Sequence, residues 1–171
     1  IATAVGQGAL GSYTTGQGGT AVGFDAGKNI TTGDWFTGMG YRAGYSAGTT
    51  NNLTAMGAYA GYYITGNGNA FIGVSAGFAT SGSTAYQNVG IGDSALYGLT
   101  TGHGNTVSGY LAAYKTTTGY YNVVAGRYAL HENLTGTHNT ALGSNALQNS
   151  TGSDNVAVGA SALVTNTSGT Q

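Results

Sequence analysis

The chain has 171 residues with 33 glycines, no proline and no cysteine, and only 5% of it is charged, for a formal net charge of −1. Its four basic residues, Lys28, Arg42, Lys115 and Arg127, are too few for the electrostatic footprint of a nucleic-acid binder. No apolar run approaches the roughly eighteen residues of a membrane span, so membrane insertion is not expected, and without cysteine there is no disulfide framework.

What the composition does carry is a period. Asn139-Thr-Ala-Leu-Gly-Ser-Asn-Ala-Leu147 returns as Asn155-Val-Ala-Val-Gly-Ala-Ser-Ala-Leu163. Anchored on the glycine of this unit, the repeat runs through Gly6, Gly23, Gly40, Gly57, Gly73, Gly92, Gly109, Gly126, Gly143 and Gly159. The spacings are 17, 17, 17, 16, 19, 17, 17, 17 and 16 residues, and an alanine stands three residues after every anchor. A fixed period of this kind is the signature of a repeat architecture. Residues 1–171 therefore read as a single array of ten units. The last residues stand where a further unit would begin, so the expectation is a piece of a longer fibre.

Within each unit the elements follow one order. First comes an extended tetrad. The third residue before the glycine is mostly β-branched (Thr3, Thr20, Val89, Val156), as a strand prefers. The residue before the glycine (Val5, Met39, Ile72, Val158) shares that face and is expected to be buried. The residue between them carries no polar side chain in any unit. A strand apolar on both faces is covered on both. This middle column, with Ala4, Ala21, Ala55, Val107, Val124, Ala141 and Ala157, is therefore expected to be the interface between chains.

The anchor glycine then turns the chain, because only glycine takes positive φ freely. A second short strand is expected around the following alanine, and a second turn at Thr-Thr-Gly, as in Thr100-Thr101-Gly102. Seventeen residues leave no room for an ordinary helix. Asn69, Asn88, Asn105, Asn122, Asn139 and Asn155 share the fourth place before the glycine and, stacked, would form an amide ladder. The fold expected is all-β, a β-solenoid-like array of ten repeats of about 17 residues in a homotrimeric fibre, with a triple-stranded β-spiral as the alternative.

Units such as Asn139-Thr-Ala-Leu-Gly-Ser-Asn-Ala-Leu147 resemble the Gly/Ala/Asn/Thr repeats of bacteriophage tail fibres, with related patterns in the head domains of trimeric autotransporter adhesins. The resemblance covers all ten repeats and is clearest from Asn122 to Gly169. It implies a homotrimeric shaft on a virion or a cell surface, engaged in host-surface recognition. It brings no catalytic residues.

The sites that the sequence offers are few. Gly6-x-Gly8-x-x-Gly11 matches a dinucleotide fingerprint but lacks the helix and the acidic residue that motif needs. His103, His131 and His138 fall in different columns, have no metal-ligand spacing, and read as solvated loop residues. The carboxylates are scattered, so no glycosidase pair arises. No enzyme activity, cofactor or metal is expected. One column stands out: Tyr45, Tyr62, Phe78, Tyr97 and Tyr114, five residues after the anchor, continue to His131. They form an aromatic stripe suited to subunit packing or to binding of a host glycan. A structural fibre segment supporting host-surface recognition is the leading expectation. A bacterial surface adhesin or secreted filament subunit is the alternative, and an ice-binding β-solenoid is a third reading that needs an exposed Thr face.

Overall fold

The computed structural model describes residues 1–79 and 82–166. Ten three-residue strands recur once per unit: β1 (Thr3–Val5), β2 (Thr20–Val22), β3 (Thr37–Met39), β4 (Thr54–Met56), β5 (Ala70–Ile72), β6 (Val89–Ile91), β7 (Thr106–Ser108), β8 (Val123–Ala125), β9 (Thr140–Leu142) and β10 (Val156–Val158). They form one parallel sheet in sequence order. Each residue pairs with its equivalent one unit later, from Thr3 opposite Thr20 to Thr140 opposite Val156. The chain is thus a β-solenoid, one repeat per coil. Strand pairing runs between successive coils of one chain, which a β-spiral does not provide. Nine steps of about 4.8 Å make the sheet about 43 Å long.

Only one strand per coil forms where two were expected. The backbone after the glycine still bonds coil to coil, as Leu10 N–H to the Ala26 carbonyl (2.9 Å) and Gly27 N–H to the Ala43 carbonyl (2.9 Å). It cannot be extended, because its second and fourth residues are left-handed: Asp25 has φ 55°, Tyr128 55°, Leu96 55° and Leu147 51°. A third left-handed corner lies five residues before the glycine, at Trp35, Asn52, Gln87 and Tyr121. Such φ values disfavour L-residues by about 1–2 kcal/mol each. They persist because every coil repeats them and the coil-to-coil bonds reinforce them.

The anchor glycine is doubly required. Gly92 has φ 128°, and a Cβ placed there would lie 2.5 Å from the Gly109 carbonyl oxygen of the next coil. The glycine of Thr-Thr-Gly answers to close approach alone: a Cβ on Gly102 would lie 2.6 Å from the Gly119 oxygen, without positive φ. The threonines there stitch coils together, Thr100 Oγ1 donating to the Thr117 carbonyl (3.1 Å) and Thr117 Oγ1 to the Leu134 carbonyl (3.0 Å).

The faces of the strand are the reverse of those expected. The middle column points into the coil: Ala21, Ala55, Val107, Val124, Ala141 and Ala157 are buried within the single chain and form no interface. Ala4 is exposed because its coil is the first of the stack. The columns on either side point outward, with Val5, Met39 and Val158 exposed. The interior is narrow, and larger side chains enter it only at some coils. It already holds the alanines after the glycine, Ala26 to Ala146, and the column four residues before it.

Where the interior column after those alanines changes from leucine to glycine, a phenylalanine from another column takes the space. Cβ atoms on Gly27 and Gly44 would lie 2.6 and 2.5 Å from the Phe36 ring, and Gly77 and Gly90 face Phe71 in the same way. Leu96, Leu130 and Leu147 fill it themselves elsewhere. In the sequence, the two extra residues of the 19-residue unit fall between Phe78 and Ala85.

The amide ladder is present and fully buried. Each Asn Nδ2 donates to the Oδ1 of the rung before it: Asn88 to Asn69 (3.1 Å), Asn105 to Asn88 (2.9 Å), Asn122 to Asn105 (3.0 Å), Asn139 to Asn122 (3.1 Å) and Asn155 to Asn139 (2.9 Å). The same Oδ1 accepts the next rung's backbone N–H, as Asn122 Oδ1 does from Asn139 (3.0 Å). The second amide hydrogen of Asn105 and Asn122 goes to the carbonyls of Gly119 and Gly136. Earlier coils fill the column with Phe36 and Leu53.

Two stability predictions follow from these columns. Gly92→Ala combines strained φ with a carbonyl clash and should cost about 3 kcal/mol or more, whereas Gly48→Ala, which meets open space, should cost only about 1 kcal/mol. Asn122→Leu strips the acceptor from Asn139 and should cost about 2–4 kcal/mol in denaturant unfolding. An unchanged midpoint for Asn122→Leu would contradict the ladder's structural role.

Candidate functional site

The aromatic stripe is a ladder of parallel rings. Centroid separations are 5.0 Å for Tyr45–Tyr62, 5.4 Å for Tyr62–Phe78, 4.9 Å for Phe78–Tyr97, 4.9 Å for Tyr97–Tyr114 and 5.3 Å for Tyr114–His131. Interplanar angles stay between 5° and 18°. This follows from register: a column one coil apart must place ring over ring. The ring faces are therefore spent on each other, and what remains to solvent is edges.

The Tyr45 end of the ladder is capped by cations, and the His131 end is tied at its ring edge to a carboxylate. Lys28, one coil before Tyr45 in the same column, holds its ammonium 5.9 Å from the Tyr45 centroid, and the Arg42 guanidinium lies at 5.3 Å. Both cations also flank the buried Asp25 carboxylate, Lys28 Nζ at 3.1 Å and Arg42 Nε at 3.7 Å. At the other end His131 Nδ1 lies 2.9 Å from Glu132, which Lys115 Nζ meets at 2.7 Å. The hydrogen bond from Lys115 is the main cause holding the Glu132 carboxyl below its ordinary pKa. A ladder of half-buried rings with cations over its first ring is a packing spine, and it offers no free ring face to a saccharide between its ends.

A second ladder lies in the column six residues before the glycine. Tyr86, His103 and Tyr120 stack at 4.6 and 4.9 Å, with His138 edge-on to Tyr120 at 5.5 Å. His103 and His131, expected to be solvated, are thus parts of aromatic stacks, whereas His138 keeps half of its side chain in solvent. The signal was in the sequence, since these residues too recur at a 17-residue spacing. In earlier coils the same column holds polar side chains that bond the previous coil's backbone: Asp34 Oδ1 accepts from Gln17 N–H (2.7 Å) and Asn51 Oδ1 from Asp34 N–H (2.8 Å).

The outside of the sheet carries a row of exposed apolar side chains. Val5, Val22, Met39, Ile72, Ile91 and Val158 run along it, and just beyond the glycine column stand Phe24, Tyr41, Val74 and Tyr110. The two outward strand columns contain no charged residue in any coil. Comparison with protein-family models, curated proteins and solved structures finds no match to this chain.

Burial of Tyr62 pushes its phenol pKa above the ordinary 10.0, with Tyr63 adding to the rise. A raised folded-state pKa contributes stability that is whole below the unfolded value and lost as pH climbs through the folded one. Wild-type protein should therefore lose stability above about pH 10 more steeply than Tyr62→Phe. Parallel pH–stability curves for the two proteins would show that the ladder does not hold this proton.

Proposed function

We propose that this chain is a structural shaft segment whose copies associate side by side along the outer face of the sheet, as a homotrimer. The observation that supports this reading is the uncharged outer strand face down all ten coils, with exposed Val5, Val22, Met39, Ile72, Ile91 and Val158 beside a column rich in threonine. Along the three-residue strands the strip is about 10 Å wide and about 43 Å long. A second copy is also the partner whose corrugation matches coil for coil, including the shortened and lengthened units. The repeat's resemblance to bacteriophage tail-fibre repeats favours a virion shaft that carries a recognition module toward a host surface. A bacterial surface adhesin or filament would use the same geometry.

A second reading is favoured by one observation. The threonines of the outer face, Thr3, Thr20, Thr37 and Thr54, face outward in successive coils, where the sequence alone had turned them toward the core. An outward threonine row is what ice binding requires. Here Ala70, Val89, Val123 and Val156 interrupt it, so self-association remains the preferred function.

Sedimentation discriminates the readings. Wild-type chain should sediment as a trimer at micromolar concentration, and paired Val22→Lys and Ile72→Lys should yield folded monomer, because the charges would be desolvated only in the assembly. Ala141→Lys, pointing inward, should abolish folding itself. A wild-type monomer, or thermal hysteresis in its solutions, would reject the shaft reading.

A further inference from the structure

The second aromatic ladder begins at Tyr86, and its first ring has only one face covered. His103 stacks on the side of the following coil, at 4.6 Å and 4°. Among the described residues no ring packs on the other side. There the column holds Asn67 in place of an aromatic residue. A cavity of about 400 Å³ opens at this position, lined by Asn52, Asn67, Thr84, Tyr86 and Gln87 together with Gly66 and Gly68. Asn52, Gly66, Asn67 and Gly68 all precede Tyr86 in the coil order. The cavity therefore lies against the ring face that His103 does not occupy.

The polar groups around it are uncommitted. Among the described residues the side chains of Asn52, Thr84 and Gln87 make no hydrogen bond within the protein. Asn67 uses its Oδ1, which accepts from the Asn51 N–H at 2.8 Å, and leaves its amide NH₂ free. Asn52 and Gln87 sit at left-handed corners, with φ 55° and 54°, which stand out from the coil surface. No acidic or basic residue lines the cavity.

We propose that this cavity is a binding site for a neutral saccharide unit, with one pyranose face on Tyr86 and its hydroxyls on the amides of Asn52, Asn67 and Gln87 and the hydroxyl of Thr84. A sugar ring presents C–H bonds on one face and a rim of groups that both donate and accept. An open π-face flanked by planar amides is the complement of that pattern. An anion would find no cation here, and a purely apolar ligand would leave three amides desolvated and unpaired. The volume falls within the about 300–1,000 Å³ of small-molecule sites. The two aromatic ladders then differ where they begin: the first ring of one, Tyr45, is covered by Lys28 and Arg42, while the first ring of the other, Tyr86, is open and binds.

Saturation-transfer NMR on the whole chain, with the methyl glycosides of glucose, galactose, mannose and N-acetylglucosamine as probes, tests this assignment. At least one glycoside should receive saturation, strongest at the C–H protons of one ring face. Tyr86→Leu should weaken that glycoside about tenfold, while Tyr86→Phe keeps it. Asn52→Gly and Gln87→Gly preserve the left-handed backbone and should each weaken it severalfold. Tyr97→Leu, in the first ladder, should not. Absence of transfer from all four glycosides, transfer indifferent to Tyr86→Leu and Asn52→Gly, or preference for adenosine would overturn the proposal. Sedimentation of the same variants should be unchanged, so failure here stays separate from failure of self-association.

Discussion

Each residue of this chain lives about 4.8 Å from its own equivalent in the next coil, and that single constraint governs which side chains each column accepts. Amides satisfy it by bonding to each other, as Asn105, Asn122 and Asn139 do with every hydrogen of the side-chain amide used. Aromatic rings satisfy it by stacking, since ring thickness is compatible with a rise of this size. Glycine satisfies it where the next coil's carbonyl leaves no room for a Cβ. Charges do not satisfy it. Like charges one coil apart repel, whereas Asp25 meets Arg42 and Lys115 meets Glu132 as opposite partners across coils.

The constraint explains how a chain so poor in large apolar residues folds. Its interior is narrow, so alanine, valine and glycine fill most of it, and a ring such as Phe36 or Phe71 is admitted only where the glycines around it make space. Much of the cohesion is carried by backbone bonds from coil to coil, which continue through the turns as well as the strands. These bonds hold residues such as Tyr59 and Leu130 in left-handed conformations that they would otherwise avoid. Strain spread evenly over a repeat is tolerated because each coil templates the next.

The narrow interior has a consequence for the outside. Bulky aliphatic residues that in a thicker protein would form the core, such as Met39, Ile72 and Ile91, are left on the outer face of the sheet. An uncharged, partly aliphatic strip along the full length of a solenoid suits lengthwise association, and the two edges of that strip differ in chemistry. One is aliphatic and aromatic; the other carries the corner residues around Asn52 and Gln87, where polar groups stand free. Association and recognition can therefore occupy neighbouring columns of the same coils without competing for residues.

The period, the glycine turns, the parallel stacking, the asparagine ladder and the aromatic column were legible in the sequence, because each depends only on which residues recur at one-coil spacing. Which strand face points inward was not. Alternation places Ala141 opposite Thr140 and Leu142 but does not say which side is enclosed, and the larger side chains suggested the wrong one. The width of the coil decides it, and that width is set by where the three left-handed corners fall, at residue types as unlike as Trp35, Arg42 and Leu130. The open face of Tyr86 likewise depends on tertiary structure: a column shows that an aromatic residue follows an asparagine, while only the packed coil shows that the space between them is empty and lined by amides from three coils.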